Sequence, residues 1–167
     1  MTQAERRTRL TRMMTEHGDA IFRMCCLHLK DIHLAEDATQ EAFLKAYRRM
    51  DTFRGECAEA TWLTGIAINV CRDFLRTAWL RRVDRSVDIS LLPECAQADE
   101  YQDPTVLNEV MRLPAKLREV ILLRFYQGLT IQEAADALHI GASAVKSRQR
   151  RAGELLRQRL KEWYDEE

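Results

Sequence analysis

The side chains best placed for chemistry in this chain are suited to recognising anions and bases. Between residues 139 and 161, Lys146, Arg148, Arg150, Arg151, Arg157, Arg159 and Lys161 are set against Glu154 alone, a net +6 over 23 residues. That density suits phosphate contact. A solvated basic helix carries the same density, and charge alone favours that reading. Earlier in the chain, Phe53, Arg54, Gly55 and Glu56 precede Asn69, Arg72 and Arg76. An aromatic ring can stack on an unstacked base, arginine can hold phosphate, and asparagine can read a base edge. A structural helix with polar exposure looks the same. Asp37, Gln40, Glu41 and Leu44 fall at i, i+3, i+4 and i+7, an acidic and amide stripe with one apolar member. Such a stripe can dock a partner, although periodicity by itself reads it as ordinary solvated surface.

Catalysis has no comparable set. No Gly-rich phosphate loop is present, and the close acidic run, Glu36-Asp37 with Glu41, lies on an exposed helix face. An enzyme is not expected. The five cysteines, Cys25, Cys26, Cys57, Cys71 and Cys95, form no C-x-x-C pair and suit reduced structural thiols. Cys25, Cys26, His28 and His33 invite a metal reading. However, Cys25 and Cys26 point to different faces of a helix, and no second ligand pair follows at zinc-site spacing. No metal or cofactor is expected.

The elements that must position these residues are helical. The chain has 167 residues, 26 basic and 26 acidic, with 46% hydrophobic and 31% charged, which fits a globular protein rather than a disordered one. Six Gly and three Pro leave few strand-to-strand turns, which argues against an all-β fold, and with the helical periods described below an all-α fold is expected. Net neutrality excludes a uniformly basic nucleic-acid binder and hides a segregation. Residues 1–82 carry 14 basic and 11 acidic groups, residues 83–105 carry 1 and 6, and residues 106–167 carry 11 and 9. The middle stretch, net −5 with Pro93 and Pro104, reads as an acidic linker between two small helical domains. No stretch approaches the roughly 18 apolar residues that span a bilayer. No apolar signal core follows the basic N-terminus, so a cytoplasmic location is expected.

In the first domain, Asp19 to Leu29 reads as a helix, followed by a clearer one from Leu34 to Met50. There Ala35, Ala38, Ala42, Ala46 and Met50 repeat at helical spacing, widened by Phe43 and Tyr47. Asp51 to Ala60 reads as a loop, with Gly55 free to adopt unusual backbone angles. Trp62, Leu63, Ile66, Ala67, Val70, Phe74 and Leu75 restart the period.

In the second domain, Leu113-Pro114 opens a helix whose core face is Leu117, Val120, Ile121, Leu122, Phe125 and Tyr126, ended by Gly128. Thr130-Ile131-Gln132-Glu133 is a capping box starting the next helix. A short turn, His139 to Ala142, leads to another helix near Ser143. That last helix buries Val145, Ala152 and Leu156 and exposes Ser143, Lys146, Ser147, Arg150 and Arg151. Cap, spacing, turn and basic face agree on a helix-turn-helix whose second helix enters the major groove. An αα-hairpin with a basic surface is the plainer alternative.

Taken together, these motifs resemble the extracytoplasmic-function (ECF) sigma factors of the bacterial sigma-70 family. Ala35-Glu36-Asp37-Ala38-Thr39-Gln40-Glu41-Ala42-Phe43 is similar to their AED-x-x-QE-x-F signature. Phe53-Arg54-Gly55-Glu56, then Trp62-Leu63-x-x-Ile66-Ala67-x-Asn69, resembles their F-R-G…WL-x-x-IA-x-N stretch. Leu113-Pro114-x-x-x-Arg118-Glu119-Val120 and Val145-Lys146-Ser147-Arg148 resemble the start and the recognition helix of their fourth conserved region.

The resemblance implies roles for named residues. Asp37, Gln40, Glu41 and Leu44 are expected to dock on the β′ clamp helices of core RNA polymerase, whose β subunit is a further partner. Phe53, Arg54, Gly55, Glu56, Asn69, Arg72 and Arg76 are expected on the melted minus-ten element. Ser143, Lys146, Ser147, Arg148, Arg150 and Arg151 are expected on the duplex minus-thirty-five element. An anti-sigma factor, often membrane-anchored in this family, is the expected regulator. The chain departs from the family pattern at His139, where Gly is usual, at Gln149, where an apolar residue is usual, and at Gly153, where a long side chain is usual. A stand-alone helix-turn-helix regulator is the alternative, but it leaves the first domain's motifs without a purpose.

Overall fold

A computed structural model describes residues 1–80 and 104–165. The acidic linker expected over 83–105 therefore lies outside the described residues up to position 103. The chain separates into two compact units, Met1–Ala96 and Gln97–Glu167. Every regular element among the described residues is helical, in keeping with the all-α expectation.

Among the described residues the first unit holds three α-helices, α1 (Gln3–Leu29), α2 (Ile32–Arg48) and α3 (Glu59–Leu80), each packed against the other two. Helix α1 starts well before the apolar run from Asp19. Its cap explains the start: Thr2 Oγ1 accepts from the Glu5 amide at 3.2 Å, and Glu5 accepts from the Thr2 amide at 2.6 Å. Lys30, in the left-handed region at φ 53°, ends α1, and Asp31 caps α2 by accepting from the Leu34 amide at 3.0 Å.

The buried face of α2 is Ala35, Ala38, Ala42, Phe43 and Ala46. Four alanines let α1 and α3 approach closely, so Met24, Cys25 and Leu29 on one side and Leu63, Ile66, Ala67 and Val70 on the other close the core. Each fully buried large side chain contributes about 1.5–3 kcal/mol, whereas an exposed ion pair contributes about 0–1 kcal/mol, so this core rather than the charged surface holds the unit. Met50 is buried from a 3₁₀ turn (Met50–Thr52) beyond the end of α2. Cys25, Cys26 and Cys71 are buried free thiols and Cys57 is exposed. The hydrogen bond with Cys25, together with burial, pushes the Cys71 thiol well above its ordinary value, so it stays protonated.

The second unit holds α4 (Pro104–Met111), α5 (Ala115–Ile121), α6 (Ile131–Leu138) and α7 (Ala142–Asp165), with α7 packed on the other three. Helix α4 falls where the sequence pattern showed none. Arg118, buried on α5, closes its end: Nη1 lies 3.5 Å from the Met111 carbonyl and 3.4 Å from that of Leu113.

The helix opened by Leu113-Pro114 does not run as a regular α-helix to Gly128. It passes into a π turn (Leu122–Tyr126), where the Gln127 amide donates to the Leu122 carbonyl at 2.9 Å. The widened turn rotates the residues that follow. Phe125, expected in the core, is therefore 58% exposed, and Leu129 is buried instead.

Thr130 and Glu133 form the expected capping box of α6, at 3.1 and 3.3 Å. Its other end closes with Ile140 N–H on the Ala135 carbonyl at 3.0 Å and His139 N–H on that of Asp136 at 3.3 Å. His139 takes the left-handed position there at φ 56°. Helix α7 continues unbroken through Gly153.

Candidate nucleic-acid interface

In the second unit, α6 and α7 make the helix-turn-helix. Val145 and Ala152 are fully buried and anchor α7, while Ser143, Lys146, Ser147, Arg150 and Arg151 are exposed. Five side chains of the expected reading set thus lie open to solvent. Leu156, expected buried, is only half-buried.

Arg148 departs from the set. It lies three residues after Val145 and four before Ala152, so it shares their inner flank. Its Nη1 is 3.7 Å from Glu119 Oε1 on α5, with Glu119 only 8% exposed. Arg148 therefore ties two helices together instead of reaching outward to phosphate.

Gln149 occupies the other flank of that seam. Its Oε1 accepts from Arg124 Nε at 3.1 Å, and Arg124 Nη1 donates to the Leu129 carbonyl at 2.6 Å. Beside it opens a groove of about 590 Å³ with Val106, Val110, Ile121, Phe125 and Leu156 among its walls and Lys146, Arg150 and Arg157 also lining it. Sequence reasoning missed Arg124 and the groove. The available signal was Gln149, a polar residue where the helix-turn-helix pattern asks for an apolar one.

In the first unit, Asn69, Arg72 and Arg76 come together on α3 around a groove of about 330 Å³, which Asp73 also lines. Asn69 Nδ2 donates to the Gly65 carbonyl at 2.8 Å, and Arg76 pairs with Asp73 at 3.3 Å. Asp73 was not in the expected set and reduces the positive charge there. Arg54, Gly55 and Glu56 are exposed on the preceding loop, with Gly55 at φ 76°.

Phe53 does not stand open beside them. Its ring centroid is 4.9 Å from that of Trp62, and the Arg9 guanidinium carbon lies 5.5 Å from its centre. The ring is engaged in packing the loop onto α1 and α3.

Glu59, in the first turn of α3, gathers the polar start of α1. Arg12 Nη2 lies 2.8 Å and Arg9 Nη2 3.5 Å from its Oε1, and His17 Nε2 lies 3.3 Å from its Oε2. Burial raises the Glu59 carboxyl, but Arg12, His17 and Arg9 outweigh it and hold the group below its ordinary value. Glu16, His17 and Glu59 are, among the described residues, a group of metal-ligand type within reach of one another. Arg12 bonds both carboxylates, so a cation already sits between them.

On α2, Asp37, Gln40 and Leu44 are exposed and Glu41 is half-buried, so the stripe is one surface. Leu44 is 47% exposed, an apolar side chain in a polar setting.

The second unit thus has the helix-turn-helix form of a DNA-binding domain, and the first is a helical bundle with an acidic-apolar stripe and a polar groove on its surface. Residues 13–81 match the family description "Sigma-70 region 2", and residues 110–158 match "Sigma-70, region 4". The chain is similar to the ECF RNA polymerase sigma factor SigW of Bacillus subtilis, at 32% identity over 160 residues, covering 87% of this chain and 86% of that protein. It is also similar to the ECF RNA polymerase sigma-E factor of Escherichia coli K12, at 34% identity over 134 residues, covering 72% and 70%. Its fold matches that of the sigma factor RpoE crystallised with the anti-sigma factor NepR from Bartonella quintana. There the TM-score is 0.74 at 22% identity, over 90% of this chain and 96% of that one.

The chain belongs to the ECF group of the sigma-70 family and is an RNA polymerase sigma factor acting in transcription initiation. Among the described residues no helix is long and apolar enough to cross a membrane.

Proposed function

We propose that residues 1–82 bind core polymerase and the melted minus-ten element, that 83–105 link the domains, and that 106–167 read the minus-thirty-five element. The observation that carries this is the exposed face of α7, where Ser143, Lys146, Ser147 and Arg150 project together from a helix-turn-helix capped at both ends of α6. Lys and Arg on the N-terminal turns of such a helix favour guanine in the major groove. The groove formed by Asn69, Arg72 and Arg76 supports contact with single-stranded DNA, with Arg54 and Glu56 on the adjacent loop. The exposed Leu44 within an acidic stripe supports docking on the β′ clamp helices.

The protein carries out no catalysis of its own and acts in the cytoplasm, where core polymerase and promoter DNA are. Its regulator is an anti-sigma factor. The apolar groove beside α7 suits an amphipathic helix with an acidic flank, because Lys146, Arg150 and Arg157 line it too. A helix seated there would cover two of the DNA-reading side chains.

In vitro transcription with core polymerase over a promoter library tests the reading. Arg150→Ala should relax preference at one or two bases of the minus-thirty-five element, whereas Arg157→Ala should weaken all promoters alike and reduce salt dependence. The opposite pattern overturns the placement of the reading face. Specific duplex binding by the chain alone, with no stimulation of core polymerase, overturns the roles given to residues 1–82.

A further inference from the structure

We infer that Arg124 is a positioning residue for duplex promoter recognition: its guanidinium ties together both helices of the helix-turn-helix and so sets how α7 presents its reading face. The inference rests on the reading of α7 given above. Arg124 Nη1 donates to the Leu129 carbonyl at 2.6 Å. Leu129 directly precedes Thr130, the N-cap of α6, so this bond fixes where α6 begins. Arg124 Nε donates to Gln149 Oε1 at 3.1 Å, which fixes α7. One planar side chain therefore holds two elements through donors whose mutual angle cannot change. Both bonds are charge-assisted, and both are part-buried, where water competes poorly.

The apolar anchors of α7 explain why such a bridge matters. Val145 and Ala152 hold the helix against the unit and Arg148 pairs with Glu119 on one flank of that seam, so the bond at Gln149 is what fixes the other flank, the one nearer Lys146 and Arg150. Gln149 sits between Lys146 and Arg150 in sequence and lines the same groove. A directional bond at Gln149 sets the rotation of both neighbours. The π turn supplies the aim: Arg124 lies in the middle of Leu122–Tyr126, and the same widening that turns Phe125 outward brings Arg124 against α7. The polar residue at position 149, an oddity within the family pattern, is thus the acceptor that Arg124 uses.

The test is promoter selection by the full chain with core polymerase, using a library randomised in the minus-thirty-five element and fixed elsewhere. Arg124→Lys keeps the charge but loses the paired donors. Gln149→Leu removes the acceptor while keeping a strong helix former, so it gives an independent reading where Arg124→Lys is unstable. Each should flatten the ratio between best and worst bases at the positions read by Lys146 and Arg150 by about tenfold, equivalent to about 1.4 kcal/mol. The double variant should be no flatter than either single one, and Gln149→Glu, which keeps the acceptor, should restore the ratio. A merely structural role lowers transcription from all promoters together and leaves the ratios intact. Unchanged ratios in both Arg124→Lys and Gln149→Leu overturn the inference. Arg150→Ala in the same selection separates the two levels: if it alone alters the ratios, the positioning role falls and the reading face stands. If none of the three alters them, both fall.

Discussion

Arg12 Nη2 lies 2.8 Å from Glu59 Oε1, joining α1 to the first turn of α3 across 47 positions of sequence. The contact gives the polar N-terminal turns of α1 a partner that no local pattern supplies. Arg9 and His17 approach the same carboxylate, at 3.5 and 3.3 Å, and with Arg12, the strongest of the three, they outweigh its burial and hold it below its ordinary value of 4.5. The unfolded chain therefore binds a proton at Glu59 more readily than the folded one. The contribution to stability is fully present above about pH 4.5 and is lost as pH falls through the lower folded-state value. Glu59→Gln should lower the melting temperature of this unit by a few degrees at neutral pH. Wild type and variant should converge as pH falls through the folded-state value of Glu59, in thermal denaturation followed by circular dichroism.

Arg148 and Glu119 lead to a second expectation. Because this part-buried ion pair, 3.7 Å apart, joins α7 to α5, Arg148→Ala should destabilise the second unit by about 1 kcal/mol. It should leave the slope of promoter affinity against salt unchanged, since no phosphate contact is lost. Urea denaturation and a salt titration check the two halves. A reduced salt slope would return Arg148 to the DNA-contacting set.

The docking stripe predicts a separable defect. Gln40→Ala with Leu44→Ala should weaken binding to core polymerase by about tenfold or more, as loss of an exposed apolar anchor does at interfaces. Both positions are solvent-facing and alanine favours helix, so helicity should stay the same. A pull-down titration alongside circular dichroism measures both, and unchanged affinity removes the stripe from the interface.

The groove on α3 predicts a defect in melting. Asn69→Ala should reduce open-complex formation on duplex templates and reduce it less on templates with a pre-melted minus-ten region. Permanganate footprinting on the two templates gives the comparison. An equal loss on both would mean that Asn69 acts on binding and not on strand capture.

His139 ends α6 in a conformation that costs a side-chain-bearing residue about 1–2 kcal/mol relative to glycine. Part of that gain is returned through the freer unfolded chain of a glycine variant. His139→Gly should therefore raise stability by about 0.5–1 kcal/mol, and His139→Val should lower it, in equilibrium urea denaturation. Promoter preference should stay the same in the glycine variant, because the closing bonds of the motif are backbone to backbone.

What the sequence determined by itself was local. The Thr130–Glu133 cap, the alanine repeat of α2 and the basic outer face of α7 each depend on residues within a turn or two of one another, so spacing alone exposes them. The short turn from His139 to Ala142 was legible for the same reason. Even the early start of α1 had a local sign, Thr2 three residues before Glu5, but a polar segment shows no apolar period to draw attention to it.

The tertiary structure decided which way individual side chains point. Arg148 turns inward because Glu119 waits on α5. Phe53 is engaged because Arg9 and Trp62 converge on it, and Phe125 is exposed because the chain widens at Leu122. Helical spacing assigns a residue to a face, but a face has flanks. On a flank, the choice between solvent, nucleic acid and a neighbouring helix is made by a charge or ring many positions away, whose distance no one-dimensional pattern records.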